Sequence, residues 1–404
     1  MRKALVAVAL AACSRGPSGP TQGVTALAGN IVAESGATIL SHRADGTILD
    51  DQVADATGHA AVQTEPGSYV TAVFPALIAP LPTAIAMVTA PSPNDDSDIV
   101  LHGPPDAQIQ VVVAGLTVDG PGVAGALDYT IDLGCNTQTS STFPAVVDVI
   151  APCEGTDTNL DILARAYDGT ETLLGYAAAR EPIGMDQAGD AIAEFTVGAW
   201  QTTGTMVPVT QTGVTADVSL TLISDTLAFD TPAIANGEAL VWDGLVVDSS
   251  IATASMTGQT ATQYAPGTPA AIAVSAADFM GSLAAPALTL DVTLDATWPA
   301  ITLTGPDALD LHLMWTANGE TITWDAVMTP DTTGIAFPQL DPTTQTVLAL
   351  PVDPSAFTGQ LAALDSSDLA DFTDLQAAGV YANTTIVPTP TSGEIRASTA
   401  TVAP

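Results

Sequence analysis

The chain has 404 residues with 7 basic and 44 acidic side chains, a formal charge of -37. Lys3 is its single lysine, so a surface this acidic excludes nucleic acid and anionic lipid headgroups as partners, since binding them needs Lys and Arg to displace counterions. Hydrophobic residues make up 47%, which excludes a disordered acidic tail, and the length suits several domains.

In chain order, Arg2 and Lys3 open a charged start, Ala4 to Ala12 form an unbroken small and aliphatic run, and Leu10, Ala11 and Ala12 lead into Cys13. A run this short is far below the roughly 20 residues a spanning helix needs, so residues 1–12 are expected to be an export signal. The charged start, apolar run and Leu10-Ala11-Ala12-Cys13 box resemble the lipobox of bacterial lipoproteins. That resemblance implies a diacylglyceryl group on Cys13, cleavage before it, and, with Ser14 following, sorting to the outer membrane. The partner it implies is the membrane itself, through the lipid anchor. An ordinary cleaved signal with an incidental cysteine is the plainer reading. Residues 13–23, with Gly16, Pro17, Gly19 and Pro20, are expected to be a flexible tether.

Short strands separated by turn residues fill 24–90, with Asp45-Gly46, Thr57-Gly58 and Pro66-Gly67 as turns. Asp55, Thr57, Gly58, Pro66, Gly67 and Tyr69 resemble the marks of the transthyretin-like module known as the carboxypeptidase regulatory-like domain. The resemblance implies a small β-sandwich that is structural or binds, without catalysis. Five prolines between Pro75 and Pro93 argue against a regular central strand there and mark a domain junction. Beyond it, Asn94, Asp95, Asp96 and Asp98 crowd hard oxygen donors on one segment, which suits calcium, although the spacing and glycine of an EF-hand loop are absent. An acidic linker accounts for the same residues.

A second sandwich is expected over 99–200. In Leu127 to Leu133 the odd positions are apolar and Asp128, Thr130 and Asp132 polar, the period of a strand with one face on a core. Val146 to Ile150 and Leu160 to Tyr167 add strands. Cys135 and Cys153 remain as an even pair in an exported chain, and a disulfide closing their loop of about 19 residues is worth roughly 3 kcal/mol in the chain-entropy model.

Residues 201–387 continue the β pattern as one large or two small sandwiches. Leu288 to Trp298 alternates without a break and reads as one long strand. Asn318-Gly319 predicts a two-residue type I′ hairpin, which sets Trp315 across from Ile322, Leu313 across from Trp324, and His312 across from Asp325 on the opposite face. That last pair is half a catalytic triad or, more simply, a solvated cross-strand pair. Asp353-Pro354 with Phe357, Leu361 and Leu364 predicts one short helix, and Leu369, Phe372 and Leu375 before Gly379 a second. The tail, 388–404, is expected to fray, with Glu394 to Ser398 pairing as an edge strand.

The fold expected is therefore all-β, tandem antiparallel β-sandwiches with two short helices near the C-terminus. Chemistry is sparse: no zinc-helix histidine spacing, nucleophile elbow or phosphate loop is present, so no catalytic residue and no cofactor beyond possible calcium is assigned. The expected role is that of an outer-membrane lipoprotein acting as a structural, adhesive or ligand-binding module with a protein or glycan partner. The alternative is a polysaccharide hydrolase or carbohydrate-binding accessory protein, which an exposed row of the five tryptophans or a cleft holding two carboxylates would favour.

Overall fold

The computed structural model describes residues 20–28, 32–74, 84–93, 98–103, 112–150, 159–185, 191–225, 227–232, 234, 237–290, 293–303, 305–317, 319–340, 350, 351, 353–369, 372–378, 380, 381 and 392–402. The molecule is all-β. Its frame is a twelve-stranded sheet in the order Leu227–Asp230, Asp217–Ser224, Ser249–Met256, Gln259–Pro266, Gly393–Thr401, Thr358–Ser366, Ala308–Ala317, Glu320–Met328, Ala84–Pro91, Tyr69–Phe74, Thr38–His42, Ile48–Val53. Strands from both ends of the chain therefore share one hydrogen-bonded sheet. The stretches expected as separate units, 24–90 and 201–387, are joined through a parallel pairing of Ala84–Pro91 with Glu320–Met328.

Smaller sheets cover this frame and enclose four apolar cores. A five-stranded sheet built on Thr21–Ala28 and Ile99–Gly103 closes the core containing Val24, Ile39, Val88, Leu101 and Val327. A three-stranded sheet of Ala287–Leu290, Leu294–Thr297 and Gly334–Ala336 covers the opposite face, where Leu311, Leu313, Trp315 and Trp324 are buried. The strand Ala308–Ala317 is buried on both faces over its first half because both layers lie on it. Another three-stranded sheet, which includes Thr205–Thr212 and Ile272–Ser275, packs on the frame's far end around Leu220, Phe229 and Trp242. Two four-stranded sheets form the 112–196 sandwich around Leu116, Ile131, Val147 and Ile162.

The hairpin expected at Asn318-Gly319 has the predicted register: Trp315 faces Ile322, Leu313 faces Trp324 and His312 faces Asp325. Gly319 takes φ +84°, the left-handed region that a type I′ turn requires and that glycine enters without a Cβ clash.

Four expectations change. Leu288 to Trp298 is a hairpin, with Leu288 paired to Ala296 and Leu290 to Leu294. Paired residues lie an even number of positions apart, so both arms put the same parity on the core, and the alternation runs through the turn as if the strand were continuous. Pro75 to Pro93 contains a central strand after all, because the proline-free residues up to Ala90 carry it and Pro91 only ends it. Asp353 caps a single 3-10 turn, Pro354–Ala356, accepting from the Ser355 amide at 2.9 Å, and Thr358–Ser366 is a strand. Leu361 and Leu364 sit in cores on opposite faces of the sheet, so apolar residues three apart reflect burial on both sides and not a helix. The second short helix is present as Phe372–Ala378. Finally, Gly393–Thr401 is paired on both sides, by Gln259–Pro266 and Thr358–Ser366, so it is interior and not an edge.

Candidate functional site

Cys13, Asn94, Asp95, Asp96 and Cys153 lie outside the described residues. Cys135 follows Asp128–Asp132 and is half-buried between two apolar cores. Asp98 is exposed, and its carboxyl lies against Gly23, where any side chain would collide with it. Among the described residues no group of three or more His, Cys, Asp or Glu side chains is arranged to hold a metal ion.

The His312–Asp325 pair forms as expected, Nδ1 to Oδ1 at 2.7 Å, but it is not solvated: the His312 side chain is 17% exposed and Asp325 0%. The hydrogen bond to Asp325 holds the His312 imidazolium above its usual range, against the opposing pull of burial. Among the described residues no serine, threonine or cysteine hydroxyl or thiol reaches His312, so the pair stays half a triad.

Sequence reasoning missed a second histidine site. His42, Thr71, Thr89 and Trp324 are fully buried on four adjacent strands and form a hydrogen-bonded chain. The Trp324 indole N–H donates to Thr89 Oγ1 at 2.8 Å, the threonine hydroxyls are 2.7 Å apart, and Thr71 Oγ1 lies 2.8 Å from His42 Nε2. The direction is set at the His42 end, where Nδ1 meets the Arg43 carbonyl at 3.0 Å and must carry the proton. The bare Nε2 then accepts the single hydroxyl proton of Thr71, so Thr71 accepts from Thr89, and Thr89 accepts from the indole, which only donates. Burial pushes His42 down to about 4, so the ring is neutral at neutral pH. No local motif signals this chain, because its members are brought together only by strand pairing.

An open cleft of about 380 Å³ lies beside Gln259–Pro266 and Gly393–Thr401, lined by Ser250, Gln263, Tyr264, Ile272 and Glu394 among others. Gln263 and Glu394 are direct cross-strand neighbours. The Gln263 amide donates to the Ala273 carbonyl at 3.2 Å, while Glu394 Oε1 is buried with no hydrogen-bond donor. Burial and the charge of Asp278 push the Glu394 carboxyl up, Arg396 partly opposing them.

The guanidinium groups of the described arginines are committed elsewhere. Arg43 pairs with Glu65 at 2.6 Å, Arg165 with Asp132 at 2.8 Å, Arg180 with Asp161 at 3.8 Å, and Arg396 with Asp365. Arg165 also lies 5.9 Å over the Trp242 ring. The Asp132 position, expected on a polar outer face, is thus a buried ion-pair partner where the 112–196 sandwich meets the frame. Of the five tryptophans, Trp242, Trp298, Trp315 and Trp324 are buried. Trp200 is half-buried against Tyr129 and Phe143 and donates to the Pro121 carbonyl at 2.6 Å, so the five do not form an exposed row.

No family model matches the chain, and no curated protein does. Among solved structures it is similar to the Bacillus anthracis TIE protein, with 10% identity and a TM-score of 0.16 over 63% of this chain and 49% of that one. It is also similar to the pilus adhesin SpaC from Lactobacillus rhamnosus GG, with 8% identity and a TM-score of 0.13 over 80% of this chain and 43% of that one. The chain spans less than half the length of either structure.

Proposed function

We propose that the protein is a lipoprotein held to the outer membrane through Cys13, with its β body serving as a non-catalytic structural, adhesive or ligand-binding module. The observation that carries this reading is the Leu10-Ala11-Ala12-Cys13 box in register behind a charged start and an apolar run. Two or three acyl chains on one cysteine suffice for stable anchoring, whereas a single chain binds marginally at about 0.8 kcal/mol per buried methylene. The body supports it in a second way. A sheet that joins both ends of the chain suits a rigid spacer, and a surface whose described arginines are all ion-paired carries acidity without free cations to offset it. Binding is favoured over polysaccharide hydrolysis because, among the described residues, Glu394 is the one carboxylate lining the cleft.

Within the same reading, Cys135 pairs with Cys153 and pins strand ends in an oxidising compartment, and calcium binding at 94–98 remains a property to be titrated. Metabolic labelling with an alkynyl fatty acid tests the anchor. The full chain is expected to take the label and to fractionate with the outer membrane, and Cys13→Ala to do neither. An unlabelled wild-type chain that fractionates like the variant overturns the proposal.

A further inference from the structure

Glu394 sits where a negative charge has little support. One carboxyl oxygen is sealed from solvent with no donor, the side chain borders an open cleft, and Asp278 and Asp365 add like charge nearby. Among the described residues no cation is spare for it: Arg43, Arg165 and Arg180 are ion-paired elsewhere, and Arg396, the near guanidinium, holds Asp365 through two of its nitrogens. Ala252, Ala265, Pro269, Ala271 and Ile272 give the cleft a small apolar wall, beside the polar Ser250, Gln263 and Tyr264. Its volume of about 380 Å³ falls within the range of small-ligand sites, roughly 300–1,000 Å³.

We propose that this cleft binds a small organic cation, an ammonium or guanidinium head on an aliphatic stem, with the head over Glu394 and the stem against the alanine, proline and isoleucine wall. An incoming cation supplies the counter-charge that the fold withholds from Glu394. A neutral sugar or an anion does not, and the surrounding carboxylates repel the latter. The inference deepens the ligand-binding part of the function proposed above and rests on it for the body alone, not for the anchor. A failed titration leaves Cys13 acylation standing, and an unlabelled Cys13 leaves the titration unaffected.

The test is calorimetric titration of the purified full chain with butylammonium, N-acetyl-lysine amide and N-acetyl-arginine amide, with N-acetyl-norleucine amide as the uncharged counterpart. Saturable one-to-one binding of the cations is expected, at least fivefold weaker in Glu394→Gln. Asp51→Asn, an exposed carboxylate on the edge strand seven strands away, is expected to leave it unchanged. Should Glu394→Gln fail to fold, Ala271→Leu fills the cleft from its exposed wall with the carboxylate intact, and is expected to weaken binding similarly. Non-saturable binding, equal affinity for the norleucine amide, or an equal loss in Asp51→Asn overturns the proposal in favour of diffuse attraction to an acidic surface.

Discussion

His42 and His312 lie on strands of one sheet and each ring is hydrogen-bonded, yet the two environments move the proton in opposite directions. Around His42 the hydrogen-bonding and stacking partners are hydroxyls, a carbonyl and the Tyr69 ring 5.9 Å away, all neutral; burial outweighs the Arg43 carbonyl and the weaker pull of the Asp45 charge, and the ring stays uncharged. Around His312 the partner is a buried carboxylate, which favours the charged ring despite burial. Burial alone therefore does not set a histidine's charge; the charge of the group it is buried against decides. The same contrast separates two ways of joining distant parts of a chain. The His42 chain connects Thr38–His42, Tyr69–Phe74 and Ala84–Pro91 to Glu320–Met328 with neutral groups all satisfied. The His312 pair joins two strands already linked by a tight turn.

The contrast breaks most readily at Trp324. Trp324→Ala removes the donor that starts the chain together with the largest side chain at the seam, and is expected to lower unfolding free energy by about 4 kcal/mol in urea titrations at pH 7. Trp324→Phe keeps most of the volume and leaves Thr89 without its donor, so about 2 kcal/mol is expected. Combining His312→Gln with Asp325→Asn removes both charges at once, so no buried carboxylate is left unpaired, and this change on a local hairpin is expected to cost less than either. An equal or larger loss at His312 reverses the ranking of the two sites.

Next in size is the acid limb of His42. Its folded value, about 4, lies below the usual 6.5, so between those values the unfolded chain binds more protons than the folded one. Stability from the neutral ring is then complete above pH 6.5 and is lost as pH falls toward 4, by roughly 3 kcal/mol in total. Protonating Nε2 would turn the Thr71 hydroxyl around, so that Thr89 accepts from both Trp324 and Thr71 and its own proton loses its acceptor in the chain, a physical reason for the ring to resist charge. Carboxylates also titrate in this window, so the informative quantity is the difference between wild type and His42→Gln. That difference is expected to shrink by roughly 3 kcal/mol from pH 7 to pH 4; a difference independent of pH removes His42 as its source.

These two sites also show what a sequence discloses. The His312–Asp325 register was legible because Asn318-Gly319 fixes it from within ten residues on either side. Its burial was not, since that depends on layers packed over both faces of the sheet. The His42 chain was illegible altogether: its members are separated by up to 282 positions, between His42 and Trp324, and meet through the parallel pairing of Ala84–Pro91 with Glu320–Met328. Local periodicity identified the strands at Leu127 to Leu133, Val146 to Ile150 and Leu160 to Tyr167. It misled where a strand is buried on both faces, at Leu361 and Leu364, and where a turn preserves parity, between Leu290 and Leu294. The Glu394 cleft had no signature either, because a lone glutamate in a threonine-rich tail acquires meaning only once Gln263 and Ile272 are beside it.

The smallest expected effect is the alkaline limb of His312, and it has the opposite sign. Its folded value lies above the usual 6.5, so the folded chain holds a proton that the unfolded chain gives up. The stabilisation is complete below pH 6.5 and disappears as pH rises through the folded value, because Asp325 then faces a neutral ring. The side chain is partly exposed and its partner is costly to bury, so the net amount is about 1 kcal/mol, well below the gross attraction of the two charges. Asp325→Asn replaces the carboxylate by a neutral amide of the same shape, which removes the preference for the charged ring. Imidazole resonances followed by NMR are expected to show His312 titrating above 6.5 in the wild type and below it in the variant, with His42 unmoved in both. If His312 titrates at the same pH in both proteins, the carboxylate is not what holds its proton, and the two histidines differ in depth of burial alone.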